Sequence, residues 1–265
     1  CQTREGLSSK DIHLKGAHSN QYYILKNKDG MAMARYKAST RCLIPVPDYR
    51  AYGITPRNSE QNFALDALLD PEISLVSLTG IAGTGKTLLA LAAALEQEGD
   101  YDQIMLSRPV IPLQNQEMGF LPGDIKEKMA PYMLPLLDNL SVIKGSLKPN
   151  SREFVRIEEM VKNEKLLISP LAYIRGRSLS KVFFIVDESQ NLTPHEVKTI
   201  ITRAGEGSKL IFTGDIHQID QPYLDMHSNG LTYLTDKMLG QDVFAHVNLI
   251  KGERSRLAEL AGNIL

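Results

Sequence analysis

With 265 residues, 43 % of them hydrophobic, the chain is long enough for one large α/β domain, alone or with a small appendage, and too apolar to be disordered. Lys and Arg total 30 against 31 Asp and Glu, a net charge of −1, so any binding of nucleic acid must use a local basic surface rather than a global field. Cys1 and Cys42 make no disulfide framework and no zinc spacing. They fit a reducing, cytoplasmic compartment. No run of about eighteen apolar residues occurs and the opening CQTREGLSSKD is polar, so neither a membrane span nor a signal peptide is expected. The first residue is Cys rather than Met, as expected of a piece of a longer protein.

The N-terminal stretch reads as a small β-rich appendage over residues 1–52. Gln21–Lys26 and Met31–Tyr36 alternate around Asn27-Lys28-Asp29-Gly30, a hairpin signal. Cys42–Pro47 reads as a third extended piece, pushed to an edge by its prolines. The tyrosines are expected to pack this sheet against the main domain, with stacking on bases as the alternative. A helix follows, predicted to be capped by Thr55 with Pro56 in its first turn and an apolar face of Phe63, Ala64, Ala67 and Leu68; Asp70-Pro71 ends it.

Ile73–Thr79 reads as a buried strand, and Gly80-Ile81-Ala82-Gly83-Thr84-Gly85-Lys86-Thr87 follows, leading into the helix-forming tract Leu88–Leu95. The glycines let backbone N–H groups turn inward to cradle phosphates, and the pattern arises by chance on the order of once per hundred chains of this length. Lys86 is placed to reach β- and γ-phosphates, Thr87 to ligate Mg²⁺, and the helix N-terminus to add its dipole.

Further strands are predicted at Gln103–Ser107, Lys165–Ser169, Val182–Val186, Lys209–Thr213 and Val243–Ile250. Ile111–Gly123, without periodicity, reads as a long functional loop. Between the strands fall helical patterns: Ile125–Leu140, bent or broken at Pro131 and Pro135; Ser151–Asn163, with Phe154, Ile157 and Val161 on one face; Pro194–Arg203, capped by Thr193; Gly230–Leu239; and Glu253–Leu265. This alternation over residues 53–265 predicts a doubly wound, mostly parallel sheet. Asp187-Glu188-Ser189-Gln190 then stands at the carboxyl end of a strand, on the edge that holds the cradle. Asp187 is expected to hold Mg²⁺ through water, and Glu188 to orient and deprotonate the attacking water.

The order of Gln61, the cradle, the Asp187–Gln190 box, Gly214-Asp215 with Gln218, and Lys251-Gly252-Glu253-Arg254-Ser255 resembles the first RecA-like domain of superfamily 1 helicases. More closely, Ser107-Arg108-Pro109, Gly119–Asp124, Ile174-Arg175-Gly176-Arg177, Phe212–Asp215 and Gly252–Ser255 resemble the PhoH family of P-loop ATPases. The resemblance implies ATP and Mg²⁺ as cofactors, with Gln61 reading the adenine edge, Gln190 and Gln218 sensing the γ-phosphate, and Arg254 acting as an arginine finger. It implies Mg-dependent ATP hydrolysis coupled to RNA, either unwinding it or feeding it to a nuclease, with the alternative of an ATP-binding oligomeric switch that touches no nucleic acid. Some members carry an N-terminal PIN ribonuclease domain, and this chain is similar to the carboxyl half of such a fusion. Arg108, Arg175 and Arg177 are the candidate contacts to single-stranded RNA, with ATP phosphates, a neighbouring subunit or surface carboxylates as their alternative partners. No second RecA-like lobe follows Thr213, so Arg254 is expected to act across a subunit boundary, in a ring with hexamer the expected number.

Overall fold

The structure, a computed structural model, describes residues 7–8, 14, 16–26, 28, 30–110, 125–174 and 179–252. The long loop at 111–123, Arg175, Arg177, Arg254 and the last predicted helix lie outside the described residues.

The described residues form two sheets. The first is antiparallel, built from β1 (Leu7–Ser8), β2 (Tyr22–Lys26), β3 (Met31–Lys37) and β4 (Cys42–Pro45) in the order β1-β4-β3-β2. The β2/β3 hairpin runs from Tyr22↔Arg35 to Lys26↔Met31, as its alternation predicts. Contrary to expectation β4 is not at an edge: it pairs with β3 on one side and β1 on the other. Its pairing with β1 ends at Leu43, so Pro45 forgoes no ladder bond on that side. The tyrosines pack as expected: Tyr22 stacks on Phe63 with ring centroids 4.8 Å apart, and the Tyr22 and Tyr49 hydroxyls both donate to Asp66, at 2.9 and 2.8 Å. Arg35 completes the junction, its Nε 3.1 Å from Asp66 and its Nη2 on Asp70.

The second sheet is six-stranded and wholly parallel, comprising β5 (Leu75–Gly80), β6 (Gln103–Arg108), β7 (Leu166–Pro170), β8 (Val182–Val186), β9 (Lys209–Gly214) and β10 (Phe244–Leu249) in the order β10-β5-β9-β8-β6-β7. Both faces are covered. Alternation along β8 sends Phe183 and Ile185 into the core shared with α1 (Ser59–Leu69), α2 (Lys86–Glu96), α3 (Ile125–Ser146) and α4 (Arg152–Lys162); Phe184 and Val186 pack under α5 (Pro194–Ile201) and α6 (Gly230–Met238). This is the doubly wound α/β architecture of P-loop nucleotide hydrolases, with a small antiparallel sheet docked on α1. No described helix is long and apolar enough to cross a membrane.

Three helices differ from their sequence patterns. α1 starts later than Thr55-Pro56 suggests, because the Asn58 side chain accepts from Gln61 N at 2.9 Å and takes the capping role. α3 runs unbroken through Pro131 and Pro135, both on its exposed face, where water can take the carbonyls the rings leave unpaired. α4 buries Ile157 and Met160, leaving Val161 exposed.

Candidate active site

The cradle is set by backbone constraints that select glycine. β5 runs so close to β10 that a Cβ on Gly80 would overlap the Leu249 carbonyl. Gly83 and Gly85 have φ of 82° and 89°, and Gly85 forms the first cap of α2 without any side-chain hydrogen bond, leaving the first amides of that helix for an anion. Thr84 is buried and fixes the loop internally, donating to Ile81 O at 2.9 Å. The Lys86 ammonium lies against the loop's own carbonyls, 2.6 Å from Gly80 O and 3.0 Å from Ile81 O. A cavity of about 360 Å³, within the range of small-molecule sites, opens beside Gly80 and Ile81 toward Asp215, His217 and Asn248.

Gln61 meets this loop from α1. Its Nε2 donates to Thr84 O at 3.1 Å and its Oε1 accepts from Arg57 N at 2.8 Å. The side chain is buried and braces the loop, with one N–H and one lone pair beyond these bonds.

The carboxylates stand just past the carboxyl end of β8. Asp187 follows β8; its Oδ1 accepts from Thr87 Oγ1 at 2.7 Å and from Thr213 Oγ1 at 2.5 Å, tying the helix after the cradle to the ends of two strands. Glu188 adopts left-handed backbone, φ 52° and ψ 38°, which costs a non-glycine residue on the order of 1 kcal/mol and turns its side chain out of the strand line. Burial and the neighbouring Asp187 charge hold its pKa above the usual carboxylate value, against the opposing pull of Gln190, Arg108 and Lys86. Arg108, at the end of β6, approaches Glu188 Oε1 at 3.7 Å.

Gln190 is fully buried, its carboxamide engaged with three partners. Nε2 donates to Glu188 Oε2 at 2.7 Å and Gln218 O at 2.8 Å, while Oε1 accepts from Asp215 N at 3.1 Å. A Cβ at position 214 would displace Gln190 Oε1 from this arrangement, so glycine leaves the room the carboxamide uses. Gln218 is exposed. The structure therefore brings Lys86, Thr87, Asp187, Glu188, Gln190 and Gln218 to one sheet edge, with Arg108 beside them and Gln61 behind the loop.

Two residues without an assigned role in the sequence reading belong to the constellation. Thr213 is the second hydroxyl on Asp187, and a polar residue ending an otherwise apolar strand on the ligand edge is the signal for it. Asp215, buried, accepts from Ala82 N of the cradle at 3.1 Å and from His217 N at 3.0 Å, joining the phosphate loop to the segment that Gln190 holds.

Among the described residues no cluster of three or more His, Cys, Asp or Glu forms a metal cage. One carboxylate with adjacent hydroxyls instead fits an ion that keeps most of its waters and takes the rest of its shell from phosphates, the habit of Mg²⁺.

The family model described as PhoH-like protein matches residues 53–264. Protein PhoH2 of Bacillus subtilis (strain 168) is 41 % identical over 267 residues, covering 98 % of this chain and 59 % of that protein. Protein PhoH2 of Thermobispora bispora is 36 % identical over 239 residues, 89 % of this chain and 53 % of that protein. The chain thus spans little more than half the length of these relatives. Among solved structures, Pif1 helicase from Candida albicans overlaps at 15 % identity with a TM-score of 0.39, covering 79 % of this chain and 44 % of that one, a likeness too loose to argue from. A match over nearly all of the chain beyond its first sheet makes this chain a member of the PhoH-like protein family.

Proposed function

We propose that the domain hydrolyses ATP with Mg²⁺ and couples the reaction to single-stranded RNA in the cytoplasm. One observation carries the reading: the Asp187 carboxylate is shared by the Thr87 hydroxyl of the phosphate cradle and the Thr213 hydroxyl, with Glu188 next in sequence on the same edge. That is a hard-oxygen site beside a phosphate loop, with a second carboxylate free of the first role.

In this reading the Lys86 ammonium leaves two neutral carbonyls for the β- and γ-phosphates, exchanging weak partners for charged ones. Bound Mg²⁺ supplies charge neutralisation of the phosphates, and Thr87, Asp187 and Thr213 are the residues that hold it. Glu188 accepts the proton of the attacking water; its raised pKa makes it a stronger base than an exposed carboxylate. Gln190 fixes Glu188 Oε2 and, through Gln218 O, the segment that would feel the γ-phosphate, so sensing through Gln190 acts by displacement of these partners. Gln61 presents its remaining amide capacity to adenine while holding Thr84. Arg254, supplied from a neighbouring subunit in a hexameric ring, adds charge to the transition state. Arg108, Arg175 and Arg177 contact RNA phosphates, and a PIN nuclease domain preceding this segment is the recipient of the RNA.

The test is ATP hydrolysis by the purified chain with and without unstructured single-stranded RNA. Severalfold stimulation is expected. Hydrolysis that ignores RNA, together with ATP-dependent assembly, would point to the oligomeric switch instead.

A further inference from the structure

Arg108 meets Glu188 from the side away from the cradle. β8 lies between β9 and β6, and the cradle follows β5, beyond β9. β6 pairs with β8 as far as Ser107↔Val186, and Asp187 N donates to Ser107 O at 2.8 Å, so Arg108 ends β6 beside the step from Asp187 to Glu188. Its Nη2 is 3.7 Å from Glu188 Oε1, an ion pair too long for a hydrogen bond. On its other side Arg108 is in register with Pro170, and the single 3₁₀ turn after β7, Leu171–Ile174, carries the exposed Tyr173.

The contact falls on the oxygen that water would use. Glu188 Oε2 already accepts from Gln190 Nε2 at 2.7 Å, which leaves Oε1 to the guanidinium. A cation there competes with a water hydrogen for the same lone pairs. The contact is also weak. It is long and made by one nitrogen, and its side chains are 22 % and 35 % exposed, so solvent screens it. Among the described residues Arg108 pairs with no second carboxylate. A phosphodiester offers the guanidinium fork two oxygens at once and is the stronger partner.

On the reading of this domain as an RNA-coupled ATPase, we propose that Arg108 is the positioning residue through which RNA controls hydrolysis: it restrains Glu188 Oε1 in the RNA-free state and leaves it for a backbone phosphate of the bound strand. Gln190, fully buried, keeps its hold on Oε2, so Glu188 stays in place as Arg108 departs. Oε1 then accepts the proton of the water whose oxygen bonds to the terminal phosphorus, and the bridging oxygen leaves with ADP. One strand over, Tyr173 offers a ring on which a base of the same strand stacks.

The experiment measures ATP hydrolysis by the full chain without RNA and with saturating oligouridylate, together with the affinity for fluorescein-labelled oligouridylate, in wild type, Arg108→Ala and Arg108→Lys. Without RNA, Arg108→Ala is expected to hydrolyse ATP severalfold faster than wild type, near the wild type's RNA-saturated rate, and to gain nothing further from saturating RNA. Arg108→Lys returns a charge to the site and is expected to restore the low RNA-free rate and part of the stimulation. Should Arg108→Ala not fold, Arg108→Gln, which keeps a polar side chain without the charge, carries the same expectation. A plain phosphate contact gives a different pattern: weaker RNA binding, with the RNA-free rate and the stimulation at saturation both unchanged. That result overturns the switch, as does an RNA-free rate that falls, and in both cases an RNA-stimulated wild type leaves the ATPase reading standing. A wild type that RNA does not stimulate is the separate failure of the underlying reading and takes the switch with it.

Discussion

The hydroxyl of Thr87, at the start of α2, donates to Asp187 Oδ1 at the end of β8 across 2.7 Å, joining two segments a hundred residues apart in the chain. Asp187 Oδ1 also accepts from the Thr213 hydroxyl. In the proposed reaction both groups hold one cation beside the phosphates. Thr87→Val keeps the shape and removes the hydroxyl. It should raise the Mg²⁺ concentration needed for half-maximal hydrolysis by about tenfold or more, the scale of a lost hydrogen bond to a charged group. An unchanged Mg²⁺ requirement would detach Thr87 from the metal.

As the proposed general base Glu188 must be deprotonated, and burial beside Asp187 raises its pKa. Hydrolysis should therefore climb with pH through a limb above the ordinary carboxylate range and level off beyond it. Arg108 opposes that rise, so Arg108→Ala is expected to move the limb to higher pH. The check is the pH profile of the rate at saturating ATP; a limb that stays in place or moves down would assign it to another group.

Gln61 has two jobs in this account, bracing Thr84 and reading adenine. Gln61→Ala should weaken ATP more than GTP, because only the adenine edge pairs its donor and acceptor with a carboxamide in this way. Equal weakening of both nucleotides, measured by competition binding, would reduce Gln61 to a brace.

Lys209 is 1 % exposed at the opposite end of the sheet, donating to Ala67 O at 3.0 Å and Asp70 O at 2.7 Å. Desolvation brings its pKa down to about 7, against the pull of Asp70 and Asp66. Between about pH 7 and 10 the unfolded chain, with an ordinary lysine, binds more protons than the folded one, so this group makes stability rise with pH in that window. Lys209→Met should abolish that contribution, so the difference in unfolding free energy between wild type and variant should widen in the wild type's favour from pH 7 to 9. A constant difference would mean that the ammonium stays charged in the fold.

The parallel sheet and the cradle were legible because their determinants are local: apolar runs of strand length, a glycine at 80 where a Cβ would meet the Leu249 carbonyl, and glycines at 83 and 85 where φ is positive. The carboxylate cluster was legible in part, since Asp187 and Glu188 end an apolar strand, whereas the contact of Thr213 with Asp187 exists only because β9 lies beside β8. The burial of Gln190 was out of reach, because it depends on Gly214 leaving room from another strand. Likewise Thr55-Pro56 carries every mark of a helix start, yet Asn58 wins because its side chain reaches Gln61 N. The face of α4 was misread for a similar reason: Met160, rather than Val161, points toward β7 once the helix is docked. Spacing alone does not rank two neighbouring apolar residues.

The central claim is that Lys86 binds phosphates while Glu188 activates water, and comparing Lys86→Ala with Glu188→Gln tests it most directly. Nucleotide affinity and single-turnover hydrolysis would be measured on the same folded proteins. Lys86→Ala should lose nucleotide binding; Glu188→Gln should keep ATP bound while hydrolysing it about two to four orders of magnitude more slowly, the contribution of a general base. Equal loss of binding in both, or wild-type hydrolysis in either, would contradict the account.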